Sequence, residues 1–181
     1  MLLVYNSLLL IISVGYSIAG LFNTKARAFN DGRSRIFENL RLQLTPNTAP
    51  IIWVHCASLG EFEQGRPVIE KLKQEFPRYK ILLTFFSPSG YEVRKNYAQA
   101  DYIFYLPWDT KRNASQFVSI VRPSLAIFIK YEFWYHYSTQ LKKRQIPLLS
   151  VSSIFREQQL FFKSYGGFYR KILFNFTHFF V

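Results

Sequence analysis

The chain has a single cysteine, Cys56, among 181 residues. A lone thiol inside an apolar run forms no internal disulfide. With no CxxC pair and no Cys/His cluster, a structural zinc is not expected either, and the composition fits a reducing compartment. Acids are scarce: 11 Asp and Glu stand against 23 Lys and Arg, for a net charge of +12. Such a balance favours polyanionic partners, among them anionic lipid headgroups and phosphorylated substrates. GxGxxG, GxxxxGK[ST] and HExxH are missing, as is the GxSxG nucleophile elbow. Their absence removes the dinucleotide fingerprint, the P-loop, the zinc-protease helix and the usual hydrolase serine. There is no RNP pattern and no dense basic block, so nucleic acid is not an expected partner. Nothing implies a cofactor or a metal, and there is no internal repeat or low-complexity tract.

What the chain has in abundance is apolar and aromatic surface, with 19 Phe and 12 Tyr. Met1 to Phe22 carries no charged residue. It is long enough to span a bilayer, which takes roughly 20 residues, and it could equally lie in the interface. Lys25, Arg27, Arg33, Arg35 and Arg41 follow, against Asp31 and Glu38, which places that side in the cytoplasm. There is no basic n-region, so a cleaved signal peptide is not expected. The reading is an anchor helix over 1–22, a basic juxtamembrane segment and linker over 23–49 ending in the turn-rich Thr45 to Pro50, and a globular domain over 50–181.

Beyond Pro50, apolar runs alternate with helical patterns. Strands are predicted at Ile51–Cys56, Lys80–Phe86, Tyr102–Leu106, Ser124–Lys130, Pro147–Val151 and His178–Val181. Helices are predicted at Pro67–Phe76, from Ser89 to about Tyr97, at Lys111–Val121, at Phe133–Arg144 and at Tyr165–Phe174. This alternation implies βαβ units and an α/β fold, a Rossmann-like parallel sheet flanked by helices. The last run, Thr177 to Val181, has no closing helix after it and reads as a cut between domains.

The most informative stretch is Trp53-Val-His-Cys-Ala-Ser-Leu-Gly-Glu61: a buried strand, a small-residue turn and a carboxylate just past a glycine. Ligands of open α/β sheets bind outside the carboxyl ends of the strands, so Glu61 is the first candidate for a working residue. A plainer reading stands beside it. Ser58-Leu-Gly-Glu61 fits a capping box, and a helix N-terminus favours the anion, making Glu61 ionised at neutral pH but a weaker base. Gly60 leaves room for a bulky group and is a candidate for positive φ. Glu132 follows the fourth strand and should emerge at the same edge, either as a working acid or as a first-turn acid paired with Lys130 or an Arg. Ser87 and Ser89, in Ser87-Pro-Ser-Gly90, are candidates to hold a phosphate at a helix start, or form a plain turn with Ser89 as N-cap. Arg66 either meets a phosphate or is ion-paired. His55, inside a strand, reads as a satisfied core residue.

Several short motifs come in a fixed order after the apolar segment: His55-Cys-Ala-Ser-Leu-Gly-Glu61, Thr84-Phe-Phe-Ser-Pro-Ser-Gly90, Tyr105-Leu-Pro-Trp-Asp109, Arg122-Pro-Ser-Leu-Ala-Ile-Phe, Glu132-Phe-Trp134 and Arg144-Gln-Ile-Pro147. As a set they resemble the N-terminal half of the Kdo (3-deoxy-D-manno-octulosonic acid) transferases of Gram-negative bacteria. The resemblance implies a GT-B glycosyltransferase of two Rossmann-like domains, of which this chain is the acceptor side and lacks the C-terminal donor domain. It implies transfer of Kdo from CMP-Kdo to a lipid A precursor at the inner membrane, on its cytoplasmic side, with inversion, no metal and no cofactor. It assigns Glu61 as general base and Glu132 as an aid to the transition state, with Ser58, Gly60, Arg66, Ser87 and Ser89 as acceptor contacts. It also implies that the chain is inactive alone. One segment departs from the family pattern: Val151-Ser-Ser-Ile-Phe-Arg156 stands where an Asn-Ala-Arg-Leu-Ser-like run is usual. Two alternatives remain open. One is another membrane-associated GT-B enzyme acting on a lipid-linked sugar. The other is a non-catalytic, membrane-tethered anion-binding module, whose binding would follow net charge and salt.

Overall fold

The computed structural model describes residues 1–181. Six strands form one parallel sheet in the order β3-β2-β1-β4-β5-β6: β1 (Ile51–Cys56), β2 (Lys80–Phe85), β3 (Tyr102–Tyr105), β4 (Leu125–Ile129), β5 (Leu148–Val151) and β6 (His178–Phe180). Every neighbouring pair is parallel. β1 is buried along its whole length, as a strand covered on both faces must be. Trp53 and His55 face one side of the sheet, and Ile52, Val54 and Cys56 face the other.

The helices are α1 (Leu2–Ala19), α2 (Thr24–Ser34), α3 (Ile36–Leu44), α4 (Leu59–Glu75), α5 (Pro88–Arg94), α6 (Lys111–Val121), α7 (Tyr135–Lys143) and α8 (Gly167–Leu173). One core layer joins Trp53, Leu82, Phe104 and Phe128 of the sheet to residues of α3, α6, α7 and α8. The opposite layer joins Val54, Cys56, Leu83 and Ile129 to α4. Helix α4 lies close on the sheet because Gly65 has no side chain: a Cβ there would stand 2.9 Å from Ile129 Cγ1.

The segment expected as juxtamembrane linker departs from that expectation. Residues 24–44 fold into α2 and α3, and Ile36, Leu40 and Leu44, four apart on one helix face, are buried in the core. Arg33 fastens α2 to the body. Its Nε donates to Leu106 O at 2.9 Å and its Nη2 to Phe86 O at 2.6 Å, with the guanidinium 3.6 Å from the Phe29 ring centre. Helix α4 also begins earlier than Pro67, directly after the β1 turn. Pro67 sits inside it on the exposed side, where water can serve the carbonyl it leaves unpaired. Helix α1 is not a buried core helix, since none of its residues is buried. It is long and apolar enough, by length and composition, to cross a membrane.

Two non-glycine residues with left-handed backbone end the central strands on one side. Lys130 (φ 65°) follows β4 and Ser152 (φ 61°) follows β5. Lys130 is held on both sides. Its N–H donates to Val151 O at 2.8 Å, and its carbonyl accepts from the Ser153 hydroxyl at 2.9 Å, which is in turn hydrogen-bonded to Ser150 Oγ at 2.5 Å.

Candidate functional site

In this strand order β1 has β2 on one side and β4 on the other, so successive crossovers leave in opposite directions from the middle of the sheet. A crevice opens there beyond the carboxyl ends of the strands. Glu61 follows β1 in the first turn of α4, and Glu132 lies between β4 and α7. The sequence pattern placed both at this edge, and the structure brings them into electrostatic contact.

Glu61 does form the carboxylate half of a capping box. Its Oε2 accepts from the backbone N–H groups of Ala57 and Ser58, the latter at 3.1 Å. Its Oε1 has no protein partner. One oxygen therefore fixes the carboxylate while the other remains available, so the structural and the working readings of Glu61 are compatible. The electrostatics differ from the sequence-based expectation. Burial pushes the Glu61 carboxyl up, and the Glu132 charge pushes it further. His55 and the two amides act in the opposite sense without cancelling the rise. The helix end is outweighed, and Glu61 is a stronger base than an exposed Glu.

Glu132 is not a first-turn helix acid and pairs with neither Lys130 nor an Arg. Its Oε2 accepts from the Trp134 indole N–H at 2.7 Å and lies 3.3 Å from His55 Nε2. Its Oε1 is again without a protein partner, and its side chain is 14% exposed, so a ligand can reach it. Both carboxylates are thus gripped through one oxygen and present the other.

His55 is the residue that sequence reasoning left in the core. It is fully buried, and its Nδ1 lies 2.9 Å from Thr84 Oγ1. That hydroxyl oxygen accepts from the Trp53 indole at 2.8 Å, so its own proton is available to Nδ1. Nδ1 also lies 3.2 Å from the Thr84 carbonyl oxygen; a proton on Nε2 is assigned from the Glu132 carboxylate that it faces, which can only accept. Trp134 Nε1 also lies 3.3 Å from His55 Nε2, but the shorter contact to Glu132 takes the indole proton. The chain Trp53–Thr84–His55–Glu132 runs from the core to the crevice. Its only sequence signal was the alternation that puts Trp53 and His55 on the same face of β1.

The remaining candidates are dispersed. Ser58 is the N-cap residue of α4. Gly60 is helical with no positive φ, contrary to expectation, but a Cβ there would meet nothing within 4 Å, so the approach to Glu61 is open. Arg66 is ion-paired along α4 with Glu63 at 3.3 Å and Glu70 at 3.9 Å. Ser87, not Ser89, is the N-cap of α5; its hydroxyl accepts from the Ser89 N–H at 3.2 Å. Both serines border a cavity of about 740 Å³ shared with Tyr16, Asn23 and Lys25. In the departing segment, Ser153 is buried against Lys130, while the Arg156 side chain makes no hydrogen bond or ion pair. No cluster of three or more His, Cys, Asp or Glu side chains is placed to hold a metal.

Comparison with known proteins adds the following. Residues 34–181 match a family model described as 3-deoxy-D-manno-octulosonic-acid transferase (kdotransferase). The 3-deoxy-D-manno-octulosonic acid transferase of Haemophilus influenzae is 31% identical over 153 residues, covering 82% of this chain and 35% of that protein. The protein of the same name from Aquifex aeolicus is 36% identical over 89 residues, 49% of this chain and 24% of its own. That of Chlamydia muridarum is 32% identical over 96 residues, 52% of this chain and 22% of its own. The chain therefore spans about a third or less of the length of these curated relatives.

Proposed function

Because this chain belongs to the 3-deoxy-D-manno-octulosonic-acid transferase family, we propose that it is the acceptor-side half of an enzyme that transfers Kdo from CMP-Kdo to a lipid A precursor. In this reading it is one Rossmann-like domain of a GT-B pair, the donor site lies mostly on a second domain, and the chain alone does not turn over. The observation that carries the reading is Glu61 at the switch point, anchored through Oε2 with Oε1 unpartnered beside Glu132.

Glu61 accepts the proton of the acceptor hydroxyl as that oxygen attacks the anomeric carbon of Kdo. The bond from that carbon to the CMP phosphate oxygen breaks on the opposite face, and CMP leaves with the electron pair, so configuration inverts. The raised basicity of Glu61 brings its pKa closer to the working pH, where general-base catalysis is most efficient. Glu132, held by His55 and Trp134, places negative charge beside the crevice and supports the cationic character of the sugar as the bond to CMP breaks. Much of the acceleration comes from holding the two reactants in line.

Helix α1 serves as a membrane attachment that lies along the surface. It is fastened to the body near both ends. Asn6 meets His136 at 2.8 Å, and Tyr16 stacks on Phe29 at 4.3 Å. Lys111 and Arg112 border a cavity against it. A spanning pose would carry those charges into hydrocarbon, at a cost of about 3 kcal/mol or more each. The apolar residues of its outer face, among them Val4, Ile11 and Ile18, are exposed, as an interfacial helix requires.

The test is Kdo transfer from CMP-Kdo to lipid A precursor by the full-length protein, wild type beside Glu61→Gln. The expected outcome is turnover that collapses in a variant that still folds. Equal turnover returns Glu61 to its capping role. No transfer by folded wild type sinks the Kdo reading and favours another sugar donor.

A further inference from the structure

The N-terminus of α7 is capped from a distance. Its own N-cap residue is Trp134, which makes no side-chain cap. The first N–H groups of a helix need partners from outside it, and here they come from Asp109, in the connection between β3 and α6. Asp109 Oδ2 accepts from His136 N–H and Oδ1 from Tyr137 N–H, both at 2.9 Å. Asp109 is fully buried. The third group on this carboxylate is the Tyr5 hydroxyl, donated to Oδ2 from α1, 104 residues away in sequence. A second strap runs alongside, from His136 Nε2 to Asn6 Oδ1 at 2.8 Å. On the far side of the same turn, Trp134 holds Glu132 through its indole N–H. The segment from Tyr131 to Trp134 belongs to no helix or strand; it is placed by these tethers together with the packing of Phe133 and Trp134 on the core. Tyr5, Glu132 and Trp134 border one cavity of about 530 Å³.

We propose that Tyr5 and Asp109 are positioning residues for Glu132. The seating of α1 on the body fixes the start of α7, and with it the Glu132–Trp134 segment, so α1 is a working part of the catalytic edge as well as an attachment. The proposal rests on the transferase reading for its kinetic consequence, while its structural half stands without it. Tyr5 donates one of three hydrogen bonds to a buried carboxylate. Tyr5→Phe removes that bond and leaves the aromatic packing against Tyr135 and Phe168 in place.

The experiment uses the full-length protein, wild type beside Tyr5→Phe and Asp109→Asn, with three readouts. These are kcat and KM for Kdo transfer, flotation with vesicles of phosphatidylglycerol and phosphatidylethanolamine, and hydrogen exchange of the His136 and Tyr137 amides. The expected result for Tyr5→Phe is a kcat lowered about tenfold or more, as a small misplacement of a reacting group can produce. KM should stay within about twofold, flotation should be unchanged, and exchange at the two amides should be faster. Asp109→Asn should show the same pattern more strongly. An unchanged kcat in Tyr5→Phe overturns the proposal, and so does a raised KM with lost flotation at constant kcat, which makes α1 an attachment only. If wild type itself does not transfer Kdo, faster exchange confined to the start of α7 keeps the latch and sinks the reaction assignment. Unchanged exchange sinks the latch.

Discussion

Asp109 offers a sharp test of the packing at the start of α7, because its burial has a thermodynamic sign. Burial pushes the carboxyl up from 3.8 to about 6, although the Tyr5 hydroxyl and the α7 amides pull it down. A carboxyl whose pKa is higher folded than unfolded binds more protons in the folded state between those two values. Its contribution to stability is complete below about pH 3.8 and is lost as pH rises through about 6. At about 1.4 kcal/mol per pH unit, the change is about 3 kcal/mol. For a chain of this size, that corresponds to about 6 to 12 °C in melting temperature. Glu61, whose carboxyl is also raised by burial, and His136, whose imidazole is pulled down by burial, add their own pH dependence. The measurement is therefore a difference: the melting temperature of wild type minus that of Asp109→Asn, followed from pH 4 to pH 7. Between pH 4 and pH 7 the difference should fall by about 2.4 kcal/mol, equivalent to about 5 to 10 °C, the rest of the change lying below pH 4. A difference that stays flat across the range would mean that Asp109 is hydrated in solution, and the burial argument would be refuted.

Three further outcomes follow from contacts described above. Arg33→Lys keeps the charge but loses the planar fork that reaches Leu106 O and Phe86 O, so chemical denaturation should show a loss of about 2 kcal/mol. Gly65→Ala places a Cβ against Ile129; about 1 kcal/mol gained in helix propensity is outweighed by overpacking of about 1–3 kcal/mol, and urea unfolding should report net destabilisation. His55→Gln can keep an N–H at the Nε2 end facing Glu132, whereas His55→Asn cannot. Turnover by the full-length protein should therefore be about tenfold or more higher in the Gln variant, and equal rates would remove His55 from the site.

The strands were legible because each is an apolar run with turn residues on either side. Ile51–Cys56 was placed to the residue, and the other strands to within one or two. Helices α2 and α3 were missed although Ile36, Leu40 and Leu44 carry the four-residue spacing of a helix face. Basic residues packed between them gave the stretch the look of a membrane flank. Pro67 misplaced the start of α4 because proline is common at a first helical position, and nothing in the sequence says that its ring faces water. At the candidate site, the common sheet edge of Glu61 and Glu132 was legible from their positions after β1 and β4. The partners of Glu132 were not. His55 lies 77 positions away, and the two meet only because β1 and β4 are neighbours in the sheet. Asp109 as the cap of α7 was equally hidden, since local sequence around Trp134 offers no capping side chain and the actual one comes from another loop.

Lys130 bears on how finely the site is aimed. A left-handed conformation costs a non-glycine residue about 1–2 kcal/mol, and here hydrogen bonds to Val151 O and from the Ser150–Ser153 hydroxyl pair hold it in place. Geometrically, Lys130 is the fulcrum of a short lever whose far end is Glu132. Two residues span roughly 7 Å, so an angular play of about 10° at the fulcrum moves the Glu132 backbone by about 1 Å. A glycine would accept the same torsion without strain but would also wander through its mirror regions, and that arc would become blur at the carboxylate. The strained lysine, pinned by Ser150 and Ser153, keeps the lever stiff.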